Sequence, residues 1–141
     1  NKRISMTTIA FDGSTIAYDG RMTQGNLIVR DDYDKKIKFG NAYFFLAGDV
    51  KDMEPFMIDC LEGGSDREFM ISGFMYENGQ LYEVGGGGGV WICDNFGPMA
   101  YGSGADYAIT AMDCGLSARD AVKMAAKRDN CTGGKIRTFK I

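Results

Sequence analysis

The stretch Thr7-Thr8-Ile9-Ala10-Phe11-Asp12-Gly13-Ser14-Thr15-Ile16-Ala17-Tyr18-Asp19 decides how the fold is read. Two runs of β-formers flank Asp12-Gly13, a pairing that signals a hairpin. A loop of two or three residues sets Thr7 opposite Tyr18 or Asp19. The hairpin therefore carries the first threonines to a carboxylate. Ahead of it stand Asn1-Lys2-Arg3-Ile4-Ser5-Met6, which read as a leader or propeptide-like segment (1–6) before one domain (7–141).

Outward from this hairpin the chain alternates between strand and helix signals. Lys35 to Phe39 and Tyr43 to Ala47 flank Gly40-Asn41 as a second strand pair. From Asp49 to Leu61, apolar Val50, Met53, Phe56, Met57 and Leu61 recur at helical spacing. Pro55 falls in the first turns of that helix, where proline is tolerated, and Gly63-Gly64 stops it. Phe69 to Tyr76 and Gln80 to Val84 make another hairpin around Asn78-Gly79. The glycine run 85–89 reads as a flexible loop tip or an engineered replacement; as a phosphate cradle it is weak, because no Lys-Ser/Thr follows. Val90 to Cys93 and Pro98 to Tyr101 are short strands. One helix runs from the Gly102-Ser103-Gly104 turn to about Cys114. A second follows Ser117, whose partner Asp120 approximates a capping box, and Lys135 to Ile141 alternates as a last strand. Strands, helix, strands, two helices and a strand, joined mostly by hairpins, define an α+β class with mostly antiparallel sheets.

Composition narrows the chemistry. The 141 residues suit one compact domain. A net charge of −3 argues against nucleic acid as a partner. No apolar run approaches the roughly 18 residues of a membrane helix, and no signal peptide is evident. There is no histidine. That excludes a Ser-His-Asp or Cys-His centre and any His-containing zinc site. Proton transfer would fall to Lys, Asp, Glu, Tyr or a free α-amine, whose pKa near ~8 lies closest to neutrality. Cys60, Cys93, Cys114 and Cys131 form no CxxC pair. They read as small hydrophobes of a reducing, cytoplasmic compartment, with no metal and no cofactor expected.

Several motifs stand in an order that resembles a family. Thr7-Thr8-Ile9-Ala10, Asp19-Gly20-Arg21-Met22-Thr23-Gln24-Gly25-Asn26, Lys36-Ile37 and Ala47-Gly48-Asp49 with Asp52 resemble the proteasome β subunits and the peptidase subunit of the bacterial two-component ATP-dependent protease. Gly102-Ser103-Gly104 and Arg128-Asp129-Asn130-Cys131-Thr132-Gly133-Gly134 complete the series. The resemblance covers nearly the whole chain. It implies an N-terminal nucleophile hydrolase sandwich of two sheets flanked by helices, with a shortened helical layer and C-terminus. It implies a homo-oligomer acting on peptides or unfolded protein, with an ATP-dependent unfoldase as partner.

By the same resemblance Thr7 is the nucleophile, Lys36 and Asp19 its charged partners, and Gly48 the oxyanion donor. Ser103, Asp129 and Thr132 position the amine, Thr132 standing where the family usually has serine. The pocket for the side chain before the scissile bond would be lined by Met22, Asp34, Leu46 and Val50. Leu46 and Met22 favour a medium apolar side chain; Asp34, if it points inward, favours a basic one. Lys35 and Lys36 would face opposite sides of a strand, so one alone can reach Thr7.

Each residue also has a plain structural reading. Thr7 and Thr8 start a strand, Asp19 turns the chain, Lys36 is one of several solvated lysines, Ser103 caps a helix, and Asp129 and Thr132 shape a turn. Chemistry requires a free Thr7 amine, because the amide that joins Thr7 to Met6 is no base. A catalytically silent structural or assembly protein on the same fold is therefore the second reading, and an amidase acting on a small molecule the third. The single helix expected between Gly48 and Phe69 leaves a sheet face thinly covered, so Phe56, Met57, Phe69 and Phe74 are candidates for burial by a partner.

Overall fold

A computed structural model describes residues 3–85, 89–93 and 97–141. Its elements, in chain order, are β1 (Arg3–Ser5), β2 (Thr8–Phe11), β3 (Thr15–Tyr18), β4 (Met22–Gln24), β5 (Leu27–Arg30), β6 (Lys36–Phe39) and β7 (Ala42–Asp49). After a 3₁₀ turn at Val50–Asp52 come α1 (Met53–Leu61), β8 (Ile71–Glu77), β9 (Gln80–Gly85), β10 (Val90–Ile92) and β11 (Met99–Gly102). Then follow α2 (Ala105–Asp113), α3 (Ala118–Arg128) and β12 (Arg137–Lys140). Residues 86–88 of the glycine run lie outside the described residues.

Two antiparallel sheets result. The larger has the order β10-β9-β8-β7-β1-β4-β5, with β6 also on β7; the smaller is β11-β2-β3-β12. Strand β7 pairs with β8 along one edge, from Ala42 opposite Glu77 to Gly48 opposite Ile71. Its other edge is divided. Strand β6 takes Ala42 to Phe45, and β1 takes Gly48 and Asp49.

The layers follow from alternation, since successive strand residues face opposite sides. On β7, Phe44 and Leu46 join Met53, Phe56, Met57 and Met75 beneath α1. Phe45 and Ala47 face the other way, meeting Ile9, Phe11, Ile16, Tyr18 and Phe74 between the sheets. On the far side of the small sheet, Ala10 and Ala17 meet Ala108, Ala121, Val122 and Ala125 of α2 and α3. Alanines there let the helices approach closely. The fold is thus helix, sheet, sheet, helix pair. No described helix is long and apolar enough to cross a membrane.

Three expectations need correction. Strands β1, β4 and β5 were not anticipated. The hairpin register also differs: Ile9 faces Tyr18 and Phe11 faces Ile16, so Thr8, not Thr7, comes level with Asp19. The cause is Asp12, whose Oδ1 accepts the N–H groups of Ser14 (3.0 Å) and Thr15 (2.9 Å). This Asx-turn keeps Asp12 in the ladder and moves the loop to Gly13-Ser14. Finally, Phe56, Met57 and Phe74 are buried by the chain's own layers, and Phe69 packs edge-on to Phe56 at 5.3 Å.

Candidate active site

The β2–β3 hairpin delivers Thr7 and Asp19 to one place, both fully buried. The Thr7 hydroxyl donates to Asp19 Oδ1. Lys35 Nζ reaches Thr7 Oγ1 at 2.6 Å and Asp19 Oδ1 at 2.8 Å. Asp19 is fixed further by the N–H groups of Thr8 (3.3 Å), Gly133 (2.9 Å) and Arg21 (3.4 Å). Lys35 is 2% exposed. Burial pulls its ammonium below the usual lysine range, while Asp19 opposes through charge and hydrogen bond.

The lysine at the site is therefore Lys35, and the expectation of Lys36 is corrected. Lys36 Nζ lies 5.3 Å from the Tyr43 ring and 5.6 Å from the Phe139 ring, a cation–π setting. Lys35 shares strand parity with Ile37, and both line one crevice. Lys36 shares parity with the exposed Lys38. That parity was readable in the sequence: a buried lysine belongs on the face that carries the apolar residue.

A second cluster adjoins the first. Ser103 Oγ donates to Asp129 Oδ2 (2.6 Å) and lies 3.4 Å from the Thr7 carbonyl oxygen. Thr132 Oγ1 donates to the same Asp129 oxygen at 2.7 Å and lies 2.8 Å from Thr8 Oγ1. Because Thr132 spends its proton on Asp129, the hydroxyl of Thr8 is the donor in that last pair. Burial alone would raise the Asp129 carboxyl, but Ser103, Thr132, the Cys131 N–H and Lys35 together hold it below the ordinary value. Ser103 does not cap α2; Gly104 occupies that position with no side-chain bond. Gly104 leaves room for Thr8, since a Cβ there would collide with Thr8 Oγ1.

Gly48 sits in β7 opposite Ser5, two positions ahead of Thr7. Its φ of +142° and the Met70 carbonyl, which a Cβ would strike, both require glycine. Met22, Leu46 and Val50 line one crevice with Tyr33, Lys35, Ile37 and Met53. Asp34 does not. Its Oδ1 accepts the Tyr18 hydroxyl (3.2 Å) and the Lys36 N–H (3.0 Å), which turns it away from the crevice and corrects that placement. Among the described residues no cluster of His, Cys, Asp or Glu suits a metal ion.

The segment ahead of Thr7 is built into the large sheet. Ser5 faces Gly48 and Ile4 faces Asp49 on one side, while Ile4 faces Thr23 and Arg3 faces Gln24 on the other. Strand β1 is thus the link between β7 and the β4–β5 pair. Met6 is 37% exposed, with Sδ 4.0 Å from Cys131 Sγ.

Two sheets packed face to face between helical layers make up the N-terminal nucleophile hydrolase type of fold, and here a buried threonine, lysine and aspartate lie at one end of it. Solved structures share it. Thiobacillus denitrificans BPH matches with a TM-score of 0.68 at 18% identity over 96% of each chain. Eukaryotic HslV from Trypanosoma brucei matches at 0.68 and 19% identity, over 95% of this chain and 97% of that one. The BPH complex with epoxomicin matches at 0.64 and 18%, over 96% and 97%. Neither a family model nor a curated protein matches the chain.

Proposed function

We propose that the chain is a threonine-type peptidase that cleaves peptide bonds through an acyl-enzyme on Thr7, and that it becomes active when the Met6–Thr7 bond is cut. The observation that carries this reading is Lys35 Nζ at 2.6 Å from Thr7 Oγ1, with both groups bonded to Asp19. A threonine hydroxyl is a weak nucleophile without a base. Once Thr7 is first in the chain, its α-amine takes the hydroxyl proton, directly or through a water. Lys35 favours the neutral amine by like-charge repulsion and favours the developing alkoxide by donating to Oγ1. Asp19 holds Lys35 in place. Ser103 and the Asp129–Thr132 pair orient the amine. The Gly48 N–H serves the oxyanion, a contribution of about 2.7–4 kcal/mol where measured elsewhere. The α-amine then returns its proton to the leaving amine, and water hydrolyses the ester.

Strand β1 supports the account of dormancy. It fills the slot between β4 and β7, the place where an extended substrate would add its own backbone as a strand. The crevice at Met22, Leu46, Val50 and Met53 favours a medium apolar side chain before the scissile bond, because Asp34 is turned away. In the cell the reading extends to a cytoplasmic homo-oligomer fed by an ATP-dependent unfoldase.

A fluorogenic peptide panel on a form beginning at Thr7 tests this reading. Hydrolysis is expected for peptides with Leu or Met before the scissile bond, with the full chain nearly inactive. Loss of residues 1–6 from protein isolated from its host, measured by intact mass, would be the matching result. No hydrolysis of any peptide, alone or with an unfoldase, would favour the silent structural protein, for which the doubly paired β1 is the specific support.

A further inference from the structure

The site leaves one charged residue without a role. Arg21 follows Asp19-Gly20 and sends its guanidinium sideways rather than toward Thr7. Nε and Nη2 form a fork on Asp31, at 2.8 Å to Oδ1 and 3.2 Å to Oδ2. Nη1 donates to the Asn130 carbonyl at 2.9 Å. The group lies flat on Gly133, where a Cβ would come within 2.6 Å of Cζ. Gly133 in turn donates its N–H to Asp19 Oδ2, as does the Arg21 N–H. Three segments therefore converge on this side chain: the loop after β3 that bears Asp19, the loop from Asp31 to Lys35, and the loop from Asp129 to Gly134. Backbone bonds reinforce the knot, with Gly20 N–H to Gly133 O at 3.1 Å and Lys135 N–H to Asp31 O at 2.7 Å.

We propose that Arg21 is the positioning residue of the site, clamping the three loops that carry Asp19, Lys35 and Asp129 so that all three converge on Thr7. The proposal rests on the peptidase reading for its kinetic consequence only. The fork geometry matters, because a lysine would supply charge at a single nitrogen and could not reproduce the planar fork on both Asp31 oxygens with a separate donor for Asn130. The charge has its own effect. The charged and titratable groups facing Lys35 are Asp19, Arg21 and Asp129, with Asp31 and Cys131 beside them. Arg21 is the cation among these, and it lowers the proton affinity of Lys35.

Two variants separate clamp from charge. In the full chain, labelled at lysine Cε, NMR titration follows Lys35, its signal identified by Lys35→Arg. Arg21→Gln is expected to move the Lys35 midpoint to higher pH by about 0.5 or more, while Arg21→Lys leaves it at the parent value. In forms beginning at Thr7, both variants are expected to lower kcat by about 10- to 100-fold with KM little changed. An unmoved Lys35 midpoint in Arg21→Gln, or an unchanged kcat in either variant, overturns the proposal. If Arg21→Gln does not fold, Arg21→Lys decides by its kcat. If the parent beginning at Thr7 hydrolyses nothing, the peptidase reading fails, and the titration still judges Arg21.

Discussion

Two lysines one residue apart meet opposite surroundings, and the proposed chemistry turns on this difference at the residue scale. Lys35 is enclosed by Thr7 and Asp19; Lys36 rests on aromatic rings. Lys35→Ala in a form beginning at Thr7 is expected to lower kcat by about 10²- to 10⁴-fold. Lys36→Ala should leave kcat unchanged and cost about 0.5–1 kcal/mol of stability. Steady-state kinetics and urea unfolding of the two variants check this. Asp129 offers a second prediction. Its carboxyl is held below the ordinary value by Ser103, Thr132 and Cys131 against the opposing effect of burial. Between that lowered value and the ordinary ~3.9, the unfolded chain binds more protons than the folded one. Stability therefore rises with pH across this window and is lost as pH falls through it. Asp129→Asn should make unfolding free energy less steep in pH below the ordinary carboxylate value of about 4, measured by urea titration.

At the scale of elements, β1 determines whether the large sheet is continuous. It is the link between β7 and the β4–β5 pair, so its removal leaves an open slot with unpaired backbone on both sides. Hydrogen exchange of Met22–Gln24 and Leu27–Arg30 is expected to quicken in a form beginning at Thr7. A bound extended peptide should slow it again. Equal exchange with and without residues 1–6 would mean that the slot is not a strand site. The same elements show why parts of the fold were legible and others not. Helices α1, α2 and α3 and the hairpins at Asn78-Gly79 and Gly40-Asn41 follow local signals, period and turn chemistry, that tertiary contacts did not override. Strands β1 and β4 are three residues each, too short for periodicity. Strand β1 pairs only because two flanking edges receive it. The β2–β3 register differs from the expected one because the Asp12 side chain joins the turn and moves the loop to Gly13-Ser14.

Across the whole molecule, the layers bring distant motifs together. Thr7 and Asp19 come from the small sheet's hairpin, Gly48 from the far end of β7, and Lys35 from the approach to β6. Asp129 and Thr132 come from the loop after α3. The order of these motifs along the chain was legible, and so was the parity that sets Lys35 on the face of Ile37, whereas where Asp34 turns depended on its tertiary partner Tyr18. Arg21 stood in a quoted motif, yet its clamp on Asp31 and Asn130 is a tertiary fact. The central claim is that Thr7 forms the acyl-enzyme once its amine is free. It is tested most directly by quenching a form beginning at Thr7 during hydrolysis of an apolar acyl-peptide ester and locating the adduct by mass spectrometry. The account predicts one acyl group per chain, on Thr7, absent from the full chain, lost in Thr7→Ala and formed far more slowly in Lys35→Ala. An acyl group on any other residue, or equal acylation of the full chain, would contradict it.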